Sequence, residues 1–316
     1  MSLLTVALVG AETLLGEEIR RTLEANDNLA LTLRLFAASK ESEPDEDDTL
    51  LLEPLTEEAL NTVDLAVFAA PEDIVRRFIP LATAAGAVCL DTGNVGRDDA
   101  SLPLAPLQPG APLPTLSLLP TATQLMLARV LRPLQELAPL QRLVVSTFEA
   151  VSTYGEEGID ALRREAGELL NGRPAPATLF SRQLAFNCIQ NSVCEESWCE
   201  GMRQILGSPS LGIAFTQVQA PLFYGHAIAL QVEFAAPITL AATSAALAAC
   251  EGVGIADDVA TPADAMGSDD VLIAAPKIDA SVEHGLSLWL VADNLRLEAE
   301  AVVSLIIAAT EQNTSA

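Results

Sequence analysis

Apolar residues at Val6, Leu8 and Val9 stop at Gly10, and a second apolar series at Leu15, Ile19 and Leu23 follows a short loop closed by Gly16. The first series predicts a buried strand and the second has helical spacing. A buried strand that feeds a helix through a glycine turn is the opening βα unit of a doubly wound fold, aiming helix N-terminal amides at a dinucleotide pyrophosphate. The rhythm continues. Leu31–Ala38 predicts a second strand, Val63–Ala69 a third, Asp73–Ala85 a helix ended by Gly86, and Ala87–Leu90 a fourth strand closed by Asp91. Strands alternating with helices predict a parallel sheet covered on both faces. Leu102–Pro120 carries six prolines and one glycine in nineteen residues, so it reads as irregular or edge structure and as the crossing to a second region.

Helical periodicity returns at Thr121–Leu134, with Leu127, Val130, Leu131 and Leu134 as the stripe. From Leu143 the texture changes to alternating strands at Leu143–Phe148, Ile213–Val218 and Ala227–Phe234, with helices at Gly158–Leu170 and Glu195–Leu206. A strand at Leu286–Val291 precedes a last helix, Leu295–Ala308. The expected fold is α/β: a Rossmann-type doubly wound parallel sheet (residues 1–120 plus 296–316) with a second α+β domain (121–295).

The dinucleotide fingerprint is incomplete. Gly10 and Gly16 hold the first and third glycine positions of Gly10-Ala11-Glu12-Thr13-Leu14-Leu15-Gly16, but Thr13 stands at the second, where backbone must approach phosphate. Glu12 adds a carboxylate to a loop meant for an anion. After the second strand, where the adenosine ribose is read, Lys40 is the one nearby cation and Glu41–Asp48 is an acidic run. An exposed loop without ligand is the expectation there.

Composition narrows the partners. At 316 residues and 50% apolar the chain is long enough for two domains with large cores. A net charge of −26 and few aromatics argue against nucleic acid. Five cysteines without a CxxC, and two histidines, make neither a disulfide framework nor a zinc site, so no metal is expected. The apolar start is short and lacks a basic leader, and no apolar run reaches spanning length; a soluble, cytoplasmic protein is expected.

In order along the chain, these stretches resemble the aspartate-semialdehyde dehydrogenase family. Leu8–Gly16 is similar to its VGATGAVG, Asp91–Pro103 to its D-N-S-S-A-x-R segment, and Pro120–Leu134 to its P-N-C-S-T-x-Q helix ending in K-P-L. Val145–Gly155 is similar to V-S-T-Y-Q-A-x-S-G-x-G, Phe186-Asn187 to A-F-N, Pro221–His226 to P-V-x-x-G-H, and Asp293–Arg296 to D-N-L-R. The resemblance implies an NADP-binding domain, an α+β domain that forms a homodimer, and an active site between them. It also implies reduction of β-aspartyl phosphate by NADPH through a cysteine thioester, with a histidine as acid/base and arginines for the substrate anions.

Position by position, the family cysteine falls on Ala122, which has no lone pair to donate. Thr121 and Thr123 are its hydroxyl neighbours, poor nucleophiles without a dedicated base. His226 matches the acid/base histidine; Gln219 stands at the carboxylate-binding arginine and Arg97 at the phosphate-binding one. Arg97 reads equally as a surface residue paired with Asp98 or Asp99. A phosphate-assisting lysine falls on Ser197. The glutamine near the thioester falls on Glu149, an acid that would repel phosphate unless burial raises its pKa.

On the cofactor side, Ala70-Pro71-Glu72 replaces A-G-G-S, Glu298 replaces a small residue, and Val302 replaces an asparagine. Glu12, Glu72 and Glu298 thus enter the region of a polyanionic cofactor. Two like charges about 4 Å apart repel by roughly 4 kcal/mol at an effective dielectric of about 20. The acids read either as caps of helix N-termini, Glu12 foremost, or as ligands for a small cation. The departures match the Usg-type paralogues of the family. They imply a catalytically impaired dimeric scaffold, regulator or sensor of an unknown small molecule. The alternative is an active NAD(P)-dependent oxidoreductase on another carbonyl substrate, with His226 as proton donor.

Overall fold

A computed structural model describes residues 3–26, 29–38, 51–93, 95, 102–108, 110–191 and 195–315. The acidic run Glu41–Asp48 with Lys40, the candidate Arg97 with Asp98 and Asp99, and Cys194 lie outside the described residues. The chain divides into two compact units, Met1–Pro120 with Glu298–Ala316, and Thr121–Leu297.

The first unit is built from β1 (Leu4–Val9), α1 (Leu14–Glu24), β2 (Leu31–Phe36), β3 (Leu65–Phe68), α2 (Glu72–Ala84), β4 (Val88–Asp91) and β5 (Leu116–Leu118). Its sheet runs β2-β1-β3-β4-β5 with every pair parallel. Alternate side chains serve opposite faces. Val6, Leu8, Val67 and Leu90 join Ile19 and Leu23 of α1 in one core, while Ala7, Val9, Phe68 and Cys89 join Val75 and Phe78 of α2 in the other. The strand order reverses between β1 and β3. In a doubly wound sheet the ligand crevice lies at the carboxyl ends of the strands at such a reversal.

The second unit begins with α3 (Ala122–Leu137) and β6 (Leu140–Glu149), followed by α4 (Gly155–Leu170), β7 (Ile189–Asn191), α5 (Glu195–Leu206), β8 (Gly212–Gln219) and β9 (His226–Phe234). It ends with α6 (Leu240–Ala248), β10 (Val253–Ile255), β11 (Val271–Ile273), β12 (Lys277–Asp279) and β13 (Gly285–Ala292). The last helix, α7 (Asn294–Ser315), starts in this unit and continues in the first. The sheet order is β10-β11-β13-β9-β6-β8-β7, with β12 beside β13. Most neighbours are antiparallel, but β6–β8 and β10–β11 are parallel, so the unit is α+β with a mixed sheet.

The long elements fall where periodicity places them. The short strands β5, β7, β10, β11 and β12 and the helix α6 are additions. No described helix is long and apolar enough to cross a membrane, and no described His, Cys, Asp and Glu side chains group as a metal site.

Candidate functional site

In the first unit, Gly10 ends β1 at φ +86°, and a Cβ there would lie 2.3 Å from the Ala69 carbonyl oxygen. A Cβ on Gly16 would lie 1.9 Å from the Gly10 carbonyl oxygen. Two of the three fingerprint glycines are therefore required by the packing of strand end against helix start.

Thr13 has taken over the turn. It is the N-cap of α1, and its Oγ1 accepts the Gly16 N–H at 3.1 Å. The same hydroxyl lies 2.8 Å from both the Gly10 and the Ala69 carbonyl oxygens, and its single proton is shared between them. Thr13 thus ties the carboxyl ends of β1 and β3 together at the strand-order reversal. An α1 amide that could face a phosphate is already satisfied.

Glu12 does not cap α1, contrary to the sequence expectation. The capping geometry belongs to Thr13, one residue closer to the helix. The Glu12 carboxylate instead accepts the Ala38 N–H at 2.7 Å, two residues past β2. In this fold that strand end is where the adenosine ribose is read. Glu72 does sit in the first turn of α2, exposed and paired with Arg76 at 2.6 Å. Ala11 is buried, and Glu298 lies in α7.

In the second unit, Ala122 is the first residue of α3 and only 2% exposed. Thr121 is the N-cap of a capping box. Its hydroxyl accepts the Gln124 N–H at 3.1 Å while the Gln124 side-chain oxygen accepts the Thr121 N–H at 3.0 Å. The Thr123 hydroxyl lies 3.0 Å from that of Thr121 and accepts the Trp198 indole N–H at 3.2 Å. The Trp198 ring stacks on Phe215 at 3.9 Å. The two threonines are thus engaged in holding α3 against α5, which also carries Ser197.

Glu149, Gln219 and His226 do come together. Glu149 ends β6 and pairs in register with Gln219 of β8, and Thr147 pairs with Gln217 one step earlier. Period-two alternation puts all four on one face. The buried Glu149 carboxylate accepts the Thr147 hydroxyl at 3.0 Å and the Gln217 side-chain amide at 2.7 Å. Gln219 donates its amide to the Glu149 main-chain carbonyl at 2.7 Å.

His226 is 2% exposed. Its Nδ1 accepts the Ala150 N–H at 3.1 Å, and its Nε2 lies 3.3 Å from Thr153 Oγ1. An Nδ1 that accepts an amide carries no proton, so the ring proton is on Nε2 and is donated to Thr153. Burial lowers the His226 pKa, outweighing Glu149, the Gly225 carbonyl and Asp293, which raise it.

A neutral ring with its lone pair occupied and its proton on Nε2 has no free base function, and the imidazolium would set Nδ1–H against the Ala150 N–H. Because the folded-state pKa lies below the ordinary 6.5, this ring contributes stability above that pH. The contribution is lost progressively as acidity increases below it. Urea unfolding is expected to show stability falling from pH 7.5 to 5.5, with a shallower fall in His226→Asn. An equal slope in both proteins would contradict the assignment.

Sequence reasoning missed Thr147, Gln217 and Asn294. The first two were legible only as strand neighbours of Glu149. Asn294, in the D-N-L-R stretch, is buried, and its Oδ1 accepts the Ser152 hydroxyl and the Gly225 N–H, both at 3.1 Å, fixing the turn before His226. Among the described residues, the ring nitrogens of His226 meet the Ala150 N–H and the Thr153 hydroxyl and no thiol. Burial raises the Cys199 and Cys250 thiol pKa values, and Cys188 is exposed.

Comparison with known proteins places this arrangement. Residues 5–111 match a family model described as semialdehyde dehydrogenase, NAD binding domain, and residues 131–297 match the semialdehyde dehydrogenase dimerisation domain. Aspartate-semialdehyde dehydrogenase 2 of Vibrio cholerae is 30% identical over 92% of this chain and 93% of its own. The chain therefore belongs to the aspartate-semialdehyde dehydrogenase family. The crystal structure of aspartate semialdehyde dehydrogenase II complexed with ASA, from Vibrio cholerae, superposes with a TM-score of 0.86 at 29% identity, covering 99% of each chain. A USG-1 protein homolog of Pseudomonas aeruginosa is 32% identical over 46% of this chain and 47% of its own.

Proposed function

We propose that this protein is a catalytically impaired member of its family, a homodimer that serves as scaffold, regulator or ligand sensor rather than as a dehydrogenase. The observation that carries the reading is Ala122, a buried methyl group at the first residue of α3, where the family motif has its attacking thiol. Three further features support it. His226 has its Nδ1 lone pair engaged by the Ala150 amide. Gln219 is uncharged and tied to backbone. Glu149 stands where a neutral amide met the thioester. Restoring the thiol alone should not restore the reaction: Ala122→Cys is expected to show no dehydrogenase turnover, and turnover in that variant would show that the rest of the site is intact.

The first unit is an NAD-binding domain by family, yet its residues do not fit a dinucleotide. Thr13 occupies the Gly16 amide and Glu12 brings a carboxylate to the end of β2. The retained Gly10 and Gly16 favour the alternative, an oxidoreductase that still binds NAD(P), with His226 as proton donor. A fluorescence titration with NADPH separates the two. No saturable binding up to millimolar nucleotide is expected, and binding near micromolar concentration would support the oxidoreductase.

A homodimer is supported by the dimerisation-domain family and by the sheet of the second unit. Ala229 of β9 lies between Ser146 of β6 and Trp289 of β13, a row that stays partly exposed in the single chain. Sedimentation should give twice the 33.2 kDa chain mass. Ala229→Arg, which buries a charge in that row, should give the single-chain mass. A monomer in the unaltered protein would overturn the dimer.

A further inference from the structure

The amino ends of β1, β3 and β4 in the first unit lie at the opposite end of the sheet from the Gly10–Gly16 turn. There they border a half-open surface recess of about 240 Å3, lined also by residues 111–113 and by the last turns of α7. Its walls are apolar: Leu4, Leu65, Val88, Leu113, Leu305 and Ala309. At ~30 Å3 per liquid water this is room for roughly eight waters, or for the body of a six-carbon chain.

The polar side chains of the recess are Asp64, Gln312 and Asn313, of which Asp64 alone is charged. Asp64 makes full use of its backbone, donating to Thr5 O and accepting from Val88 N, both at 2.9 Å. Its Oδ2 accepts the Thr5 N–H at 2.7 Å. That leaves Oδ1 as an acceptor in hand. Gln312 donates its amide to the Gly110 carbonyl at 3.0 Å, leaving Oε1 as a second acceptor. Among the described residues no Lys, Arg or His lines the recess. A carboxylate oxygen and an amide oxygen beside an apolar chamber recognise a donor-rich cation with an aliphatic body. They disfavour a carboxylate or phosphate.

We propose that this recess is a binding site for a small primary aliphatic ammonium ion, with Asp64 receiving the charged head and the strand ends and α7 enclosing the chain. The site is independent of the catalytic reading above, since every lining residue lies in the first unit and none belongs to the fingerprint turn. Four of the lining groups, Leu4, Asp64, Leu65 and Val88, sit on the amino ends of β1, β3 and β4 or just before them, where the backbone hydrogen bonds of the sheet hold them in place. The chamber is thus largely pre-formed.

The test is a methyl NMR titration of the full-length protein with n-hexylamine, beside hexanoate and hexanol. Hexylammonium should shift the Leu65 and Leu305 methyl resonances saturably, and hexanoate should leave them unmoved. Asp64→Asn keeps an oxygen for the Thr5 N–H but removes the charge, and should weaken hexylammonium at least tenfold without abolishing the weak response to hexanol. Ala309→Phe, which fills the chamber, should abolish both. The proposal is overturned if hexylammonium gives no saturable shift, if hexanoate binds as well, or if Asp64→Asn binds hexylammonium as tightly as the parent.

Discussion

Glu12→Thr combined with Thr13→Gly is expected to raise NADPH affinity at least a hundredfold over that of the unaltered chain. The first substitution removes a carboxylate that accepts the Ala38 N–H beside the ribose end of the cleft. The second releases the Gly16 amide and the β1 and β3 carbonyls from the Thr13 hydroxyl. Repulsion of about 4 kcal/mol per like-charge pair at ~4 Å corresponds to about three orders of magnitude in affinity, part of which solvent screens. Replacing a threonine cap by glycine costs only a few tenths of a kcal/mol, so the variant should remain folded. Tryptophan quenching or nucleotide fluorescence reads the gain. An unchanged affinity would show that Glu12 and Thr13 are not what closes the cleft.

The second large effect concerns stability. Gly16→Ala should destabilise the first unit by at least ~4 kcal/mol and lower its melting temperature by about 10 °C or more. The added Cβ would stand 1.9 Å from the Gly10 carbonyl oxygen, 2.8 Å from its carbon and 2.9 Å from Ala11 Cα. All three are backbone atoms, so no side chain can swing away. Gly86→Ala is the control, because a Cβ there meets nothing within 4 Å and only the left-handed φ of +96° opposes it. That variant should lose about 1–2 kcal/mol. Differential scanning calorimetry compares them; equal losses would mean that the Gly10–Gly16 contact relaxes more readily than its geometry indicates. The close approach is kept although Glu12 and Thr13 stand beside it. The glycines serve the joint between strand and helix, whether or not a ligand comes.

That distinction bears on what was legible in the sequence. The long strands and helices declare themselves through periodicity, because a half-buried element must repeat its apolar side at 2.0 or 3.6 residues. α6 escapes because Leu240–Ala248 is a run of alanine, leucine, threonine and serine with no polar face from which to read a period. The three-residue strands β5, β7, β10, β11 and β12 are too short to alternate. In the site, the residues carried over from the family landmarks were found by order along the chain, and Glu149, Gln219 and His226 do share one corner of the second unit. Their partners were not legible. Glu12 reaches an amide 26 positions away, and Asn294 reaches Ser152 across 142. Such pairs exist only once the sheets have formed. The expectation that Glu12 caps α1 failed for a local reason, since the N-cap side chain must be the one that reaches the third helical amide, and Thr13 does.

The most direct measurement of the central claim is phosphate-dependent reduction of NADP by the purified protein supplied with aspartate semialdehyde, followed as absorbance of the reduced nucleotide. With a methyl group at position 122 and the His226 lone pair engaged, the rate is predicted to stay at the enzyme-free background at any protein concentration. A rate that requires phosphate and scales with protein would contradict the account.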